Sequence, residues 1–420
     1  MILVGRIVIE GGRRLNGELK VQGSKNAVLP IIAACILCKD ECVIYNCPDI
    51  SDVRSACEII NHLGGTADLN DGILTVNTKN VERSDIPKEL MNKMRSSVMF
   101  MGVLLGMTGS AVLCTPGGCE IGARPVDIHI KALKMLGANV VEEGECISCY
   151  SDGLNGCKIH LEFPSVGATE NAMMAAVTAK GTTVISNPAL EPEIVELQNF
   201  INAMGGKVYG AGTKTLVIEG TGNLHGTEFE VRGDRIVAAT YLLGVAGTGG
   251  NVKFNGVKAE DMEAVLSVLR ETGCEIYANE NSLSVWSDGR LKSPKRVRTQ
   301  VFPGFPTDAQ APLTSCLSVA QGTAVIHEEI FENRFRHVEE LLKMGADIRL
   351  DNRVAVVCGV PCLYGANVVA RELRGAGALC IAGLMAKGKT VMEGTEYLDR
   401  GYVNIERALG MLGADIKREG

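Results

Sequence analysis

Lys343-Met344-Gly345-Ala346-Asp347-Ile348 reads as the end of a helix that turns directly into a strand. An apolar stripe, Val338, Leu341 and Leu342, precedes it at helical spacing. Gly345 falls where a helix stops in the left-handed conformation that glycine alone adopts at no cost. Related stops occur at Gly64, Gly137, Gly205, Gly273 and Gly413, so that successive glycines lie 73, 68, 68, 72 and 68 residues apart. Self-similarity at a fixed period marks a repeat architecture. Each of the first five stops is followed by a strand, a turn and a second strand, as in Ala346–Leu350 and Val354–Cys358.

Between the stops lies a second kind of helix, apolar nearly all round and rich in Ala, Gly and Met. Examples are A-V-L-P-I-I-A-A-C-I-L from Ala27 and G-A-L-C-I-A-G-L-M-A from Gly377. A helix without a polar face is buried, and small residues allow several to pack closely. The repeat is therefore strand, buried helix, strand, surface helix, strand, strand. The sixth copy ends at Gly420 without its closing strand, and Ile7–Glu10 is a spare strand that could supply it. The expected fold is α/β (α+β): a two-lobed, inside-out α/β barrel of six repeats, three per lobe. One lobe is discontinuous, formed by residues 1–21 and 233–420, and the other comprises residues 22–232.

Composition agrees with tightly packed α/β layers: of 420 residues, 46% are apolar, only 4% are aromatic and 49 are glycine. A formal net charge of −7 argues against a nucleic-acid partner. No apolar run is long enough to span a bilayer, which argues against a membrane partner. The start, M-I-L-V-G-R-I-V-I-E, has no signal-peptide pattern and reads as a strand, so the expected location is the cytoplasm. The 15 cysteines are scattered, often within apolar runs, and are expected to be free thiols in a reducing compartment. The C-x-x-C pairs Cys35/Cys38 and Cys146/Cys149 lie on a buried helix and an alternating strand. Neither suits the four converging ligands of a zinc site, and no metal is expected.

Chemistry concentrates at the starts of the buried helices. Lys25-Asn26, Arg95-Ser96, Ser165–Thr169, Asp234-Arg235, Thr307-Asp308 and Glu372–Arg374 recur at about the repeat length. Helix N-termini attract anions through free N–H groups and the helix dipole. If the two lobes face each other through these ends, the six starts converge on one cleft, with Lys25, Arg95, Arg124, Arg334, Arg374 and Arg400 as added cations. A solvated helix cap is the simple reading of any one of these charges; recurrence at equivalent positions weakens it. The implied ligand is small and multiply anionic. A different signal is P-G-G-C-E-I-G-A-R-P-V-D-I-H-I, Pro116–Ile130, which places Cys119 on a glycine-rich loop. Arg124 and His129 are possible sources of positive charge near its sulfur, and such charge favours the reactive thiolate.

These residues resemble the UDP-N-acetylglucosamine 1-carboxyvinyltransferases, over the full length. The resemblance is carried by G-S-K-N-A-V-L-P from Gly23, the Pro116–Asp127 stretch, S-V-G-A-T-E-N from Ser165, E-P-E-I-V from Glu191, P-G-F-P-T-D from Pro303, F-E-N-R-F from Phe331 and L-D-R-G-Y from Leu398. It implies two inside-out α/β lobes of three repeats. The implied activity is transfer of the enolpyruvyl group of phosphoenolpyruvate to the 3-hydroxyl of UDP-N-acetylglucosamine, the first committed step of peptidoglycan precursor synthesis, with no metal or organic cofactor. Carried across, Lys25 and Asn26 match the pair that contacts phosphoenolpyruvate and sugar, and Arg95 and Arg400 match cations that hold phosphate and carboxylate. Cys119 matches the loop cysteine implicated in protonating the enolpyruvyl carbon and in product release. Arg124, Pro125, Val126, Asp127 and Ile128 match the uridine-binding stretch, and Ser165, Val166 and Gly167 the diphosphate-contacting turn. Asp308 matches the carboxylate that takes the hydroxyl proton. Ile330, Arg334 and Arg374 belong to the same implied substrate site. Where the family typically has Asp-Leu-Arg, this chain has Glu372-Leu373-Arg374, which keeps the charge and adds a methylene. Three other readings remain: a 5-enolpyruvylshikimate-3-phosphate synthase, which has no reason to carry the cysteine loop or the uridine stretch; a non-catalytic nucleotide-sugar binding protein, which would lose Cys119, Asp308 or Arg400; and a thiol-rich redox or metal protein, which metal analysis and thiol counting would decide.

Overall fold

A computed structural model describes residues 5–114 and 126–420. Cys119, Arg124 and Pro125 lie outside the described residues. All six helix-stopping glycines take positive φ, from 88° at Gly345 to 104° at Gly137, a region that would strain any residue with a Cβ. Each ends a surface helix: Ser51–His62, Asp127–Met135, Pro192–Ala203, Glu263–Glu271, Val338–Lys343 and Ile405–Met411.

The strands form six four-stranded sheets among the described residues. One shows the plan. Thr182–Ser186 pairs parallel with Lys158–His160 on one side and antiparallel with Thr215–Glu219 on the other, and Lys207–Tyr209 closes the edge against Thr215–Glu219. Alternate residues point inward, as the half-buried strand period requires: Val184 is half-buried while Thr183 and Ile185 are buried. In the sixth repeat the chain supplies a single strand, Asp415–Glu419, after its glycine stop. The remaining place is taken by Arg6–Glu10, inserted antiparallel between Lys389–Glu393 and Asp415–Glu419 with Ile7 opposite Met392 and Arg418. Two further strands complete sheets far away in sequence. Leu15–Lys20 pairs parallel with Gly250–Asn255, and Glu228–Glu230 pairs parallel with Glu41–Tyr45.

The chain divides into two compact units that exchange at residues 22/23 and 232/233. In the unit that holds residues 5–22 and 233–420, the apolar helices Arg235–Thr248, Gln310–Leu317 and Leu373–Met385 pack on one another at the centre of one continuous apolar core. Glycine makes one of these approaches possible: a Cβ on Gly377 would lie 2.6 Å from the hydroxyl of the buried Tyr402. In the other unit, Phe100–Thr108 packs on Val166–Val177 and on Lys25–Ala34. Within each unit these apolar helices are buried, an arrangement made possible by their lack of a polar face.

The cysteines correct one expectation. Cys114 and Cys146 stand directly opposite each other in the antiparallel pair Ser110–Cys114 and Cys146–Tyr150, and they form a disulfide. Twelve other described cysteines are free, most of them buried. Sequence spacing could not reveal this partnership, because only the strand register brings the two sulfurs together. Among the described residues no helix is long and apolar enough to cross a membrane.

Candidate functional site

In the unit of residues 23–232, Ser24 caps the helix Lys25–Ala34 by accepting the Ala27 N–H at 3.4 Å. Lys25, the first helical residue, is buried, and its ammonium lies 2.6 Å from Asp52, whose side chain is 2% exposed. A buried ion pair of this kind costs more to break than to keep, because removing one partner leaves the other's charge less well compensated. Asn26, beside it, is half-buried. Arg95 opens the 3-10 turn Arg95–Met99, which leads into Phe100–Thr108.

Ser165 caps Val166–Val177 through the Ala168 N–H at 3.3 Å, and Val166 and Gly167 form a half-buried first turn. Facing Gly167 is His129, whose Cε1 would sit 3.0 Å from any Cβ placed there. Asn171 fixes this histidine. Its amide oxygen accepts the Gly102 N–H at 2.7 Å, so its NH2 is the group that meets Val98 O at 3.0 Å and His129 Nδ1 at 2.8 Å. Nδ1 is thus the acceptor and Nε2 carries the proton. Burial pushes the His129 pKa down to about 4, with Asp127 opposing, so the ring is neutral at pH 7. His129 therefore does not supply the positive charge that the sequence suggested. Val126 and Asp127 begin the helix that carries it. Ile128 lines a shallow cavity of about 260 Å³ with Lys131, Met135, Ile159 and Leu161.

In the other unit the helix starts carry a tighter cluster. Asp308 lies in the turn Thr307–Ala309 before Gln310–Leu317, with its side chain 26% exposed. Arg334 Nη2 approaches one carboxylate oxygen at 2.6 Å and Arg374 Nη2 the other at 3.0 Å. Both guanidiniums are buried. Arg334 also donates from Nε to the Thr307 carbonyl at 3.4 Å. Glu372 is the N-cap of Leu373–Met385, with its carboxylate accepting the Arg374 N–H at 2.8 Å and the Gly375 N–H. The added methylene is taken up by an extended backbone, φ −161° and ψ 161°, which lets the longer side chain fold back onto the helix start. Arg374 stacks over Tyr402 with its Cζ 6.0 Å from the ring centroid, and the Tyr402 hydroxyl meets Thr240 at 2.9 Å.

Arg400 lies in the turn after Thr395–Leu398. Gln22 clamps that turn: its amide donates to Gly401 O at 3.1 Å and accepts from Val403 N at 2.7 Å. Sequence reading passed over Gln22, Asp52, Asn171 and Tyr402. Gln22 and Asp52 lie outside the helix starts where the charges repeat, and Asn171 and Tyr402 close two of the motifs that carry the resemblance without having been given a role of their own. Among the described residues no three His, Cys, Asp or Glu side chains converge as metal ligands.

This arrangement of helix starts on a sixfold repeat is that of the enolpyruvyl transferase fold. The structure is similar to that of the enolpyruvyl transferase NikO from Streptomyces tendae, with a TM-score of 0.89 over 99% of each chain at 23% identity. It is also similar to EPSP synthase from Acinetobacter baumannii, with a TM-score of 0.74 over 99% of this chain and 100% of that one at 19% identity. Residues 9–409 match the EPSP synthase (3-phosphoshikimate 1-carboxyvinyltransferase) family. Sequence relatives are more specific. UDP-N-acetylglucosamine 1-carboxyvinyltransferase 2 of Caldanaerobacter subterraneus subsp. tengcongensis is 48% identical over 99% of this chain and 100% of its own length. The corresponding enzymes 1 of Carboxydothermus hydrogenoformans and Clostridium perfringens are 46% and 43% identical, over 98% of this chain and 98% and 99% of theirs. The chain belongs to the UDP-N-acetylglucosamine 1-carboxyvinyltransferase family.

Proposed function

We propose that this protein transfers the enolpyruvyl group of phosphoenolpyruvate to the 3-hydroxyl of UDP-N-acetylglucosamine and releases phosphate. The observation that carries the reading is the full-length identity, 43–48%, to four curated relatives of that name. The residues are apt for the chemistry. An alcohol is a weak nucleophile and needs a base within hydrogen-bond reach. Asp308 takes this role, held by Arg334 and Arg374 so that its orientation is fixed before substrate arrives. The sugar oxygen bonds to C2 of phosphoenolpyruvate while C3 gains a proton, for which Cys119 is the donor. The tetrahedral adduct then loses phosphate and a C3 proton, which restores the double bond in the product. Charge on phosphate and carboxylate is held by Lys25, Arg95 and Arg400, with Asn26 on the sugar side. Arg124, Pro125, Val126, Asp127 and Ile128 receive uridine, and the first turn at Ser165, Val166 and Gly167 receives the diphosphate. Glu372 acts by fixing the start of the helix that carries Arg374.

The proposed setting is the cytoplasm, where phosphoenolpyruvate is made. The product would feed peptidoglycan synthesis, and through it cell shape and division. Phosphate release measured with phosphoenolpyruvate and either UDP-N-acetylglucosamine or shikimate 3-phosphate tests the reading. Release with the nucleotide sugar alone is expected; release with shikimate 3-phosphate alone overturns it. Labelling by an epoxide phosphonate, followed by peptide mapping, is expected to mark Cys119. Cys119→Ser should abolish both labelling and most turnover, and Cys119→Asp should keep more turnover while resisting the reagent.

A further inference from the structure

Glu328 follows directly on the strand Thr323–His327 and is 1% exposed. Its carboxylate is filled by donors from two separate segments. Oε1 accepts the backbone N–H of Ile330 at 2.9 Å and of Phe331 at 3.1 Å. Oε2 accepts the Thr307 hydroxyl at 2.9 Å. Thr307 is the residue before Asp308, in the turn that presents that carboxylate. One buried side chain therefore ties the segment of Asp308 to the segment of Ile330.

The backbone around Glu328 is anchored independently. Its own N–H donates to Arg353 O at 2.8 Å, and Glu329 N donates to the Thr299 hydroxyl at 2.9 Å. The strand end does not need the carboxylate to stay in place, so what the side chain's bonds hold is the two segments that donate to it. Burying a carboxylate is costly unless its lone pairs are satisfied, and here the satisfying donors lie on the two loops whose spacing matters to the acceptor. Reacting atoms misplaced by about 1 Å lose about a hundredfold in rate, so a rigid strut between base and acceptor contact has a kinetic consequence.

We propose that Glu328 is a positioning residue for the acceptor sugar, setting the separation between the Asp308 carboxylate and the Ile330 backbone. The proposal rests on reading Asp308 as the base and Ile330 as an acceptor contact, and it extends that reading to a residue that touches no substrate. Glu328 acts on Asp308 through the Thr307 hydroxyl and on Ile330 through its N–H.

The test uses the full-length protein, with phosphate release measured as each substrate is varied and thermal melting as a control. Glu328→Ala is expected to lower kcat/KM for UDP-N-acetylglucosamine about a hundredfold, while KM for phosphoenolpyruvate moves less than about threefold. Thr307→Val, which severs only the Asp308 side, is expected to lower kcat about tenfold with little change in acceptor KM. Glu328→Gln is expected to stay within about fivefold of wild type. Its amide oxygen can accept the two N–H groups and its NH2 can donate to the Thr307 hydroxyl. If Glu328→Ala does not fold, Thr307→Val with an unchanged melt and a reduced kcat supports the proposal. All three variants within about twofold of wild type overturn it. So does equal loss of affinity for both substrates in Glu328→Ala, or a Glu328→Gln enzyme as impaired as Glu328→Ala, which would point to charge and not geometry. A wild-type enzyme that releases no phosphate with the nucleotide sugar defeats the functional reading itself, and the positioning role falls with it.

Discussion

Lys25 and Asp52 form an ion pair whose side chains are only 9% and 2% exposed. Asp52→Asn would leave the ammonium buried against a neutral amide. The expected cost is about 3 kcal/mol of stability, read by denaturant unfolding, together with a raised KM for phosphoenolpyruvate. An unchanged unfolding midpoint would remove the pair from the site. His129 gives a second residue-scale expectation. Its folded pKa, about 4, lies below the value near 6.5 of a free histidine. Its neutral form therefore favours folding above pH 6.5, and that contribution is lost as pH falls from about 6.5 toward 4, by roughly 3 kcal/mol in all. The ring resonances should titrate near 4, and a midpoint near 6.5 would contradict the Asn171 arrangement. Lys25, Asp308 and Glu372 were legible in the sequence because charge recurs at the repeat length. Asp52, Gln22 and Asn171 were not, since each works by a contact that depends on tertiary placement. His129 was legible as a residue but not in its charge state, which burial decides.

At the scale of elements, the helix stops were the most readable feature. A left-handed residue after a helix is a local demand, and glycine answers it at each of the six surface-helix stops. The helix starts were half readable. Polarity showed where they lie, but not that Glu372 caps its helix by folding a longer side chain back. Glu372→Ala would leave the Arg374 and Gly375 N–H groups without their acceptor, at an expected cost of about 1–2 kcal/mol. Glu372→Asp should remain within about 1 kcal/mol of wild type, since aspartate is a preferred cap. Thermal melting of both variants decides whether the added methylene matters. The disulfide was invisible to spacing because strand register, and not C-x-x-C proximity, creates it. Closing a loop of 32 residues, it is expected to contribute about 3–4 kcal/mol without reductant. Cys114→Ser should therefore melt lower in the absence of dithiothreitol and the same as wild type in its presence.

At the scale of the whole molecule, the repeat was countable before any coordinates, because a period near 70 residues survives changes in nearly every side chain. Which strand closes which sheet depended on pairing across hundreds of residues. Arg6–Glu10 lies between two strands more than 370 residues away in sequence. Removing residues 1–12 would expose the facing edges of Lys389–Glu393 and Asp415–Glu419. Hydrogen exchange at those two strands should rise sharply, while strands within residues 23–232 keep their protection. A synthetic peptide of residues 1–12, added in excess, should restore protection by strand addition; no difference in exchange would show that the pairing carries no stability. The same threading imposes an order on biosynthesis. Residues 23–232 emerge as one uninterrupted stretch and can close once Glu228–Glu230 reaches Glu41–Tyr45. Ile7-Val8-Ile9 must wait for Asp415–Glu419, roughly 20–80 s later at ordinary translation rates. Through that interval an apolar strand with open hydrogen-bonding edges trails from the nascent chain, and neighbouring ribosomes on the same message carry identical copies. Slow translation or dense polysomes would therefore favour pairing between chains over pairing within one, and that competition bears on how much active enzyme a cell obtains.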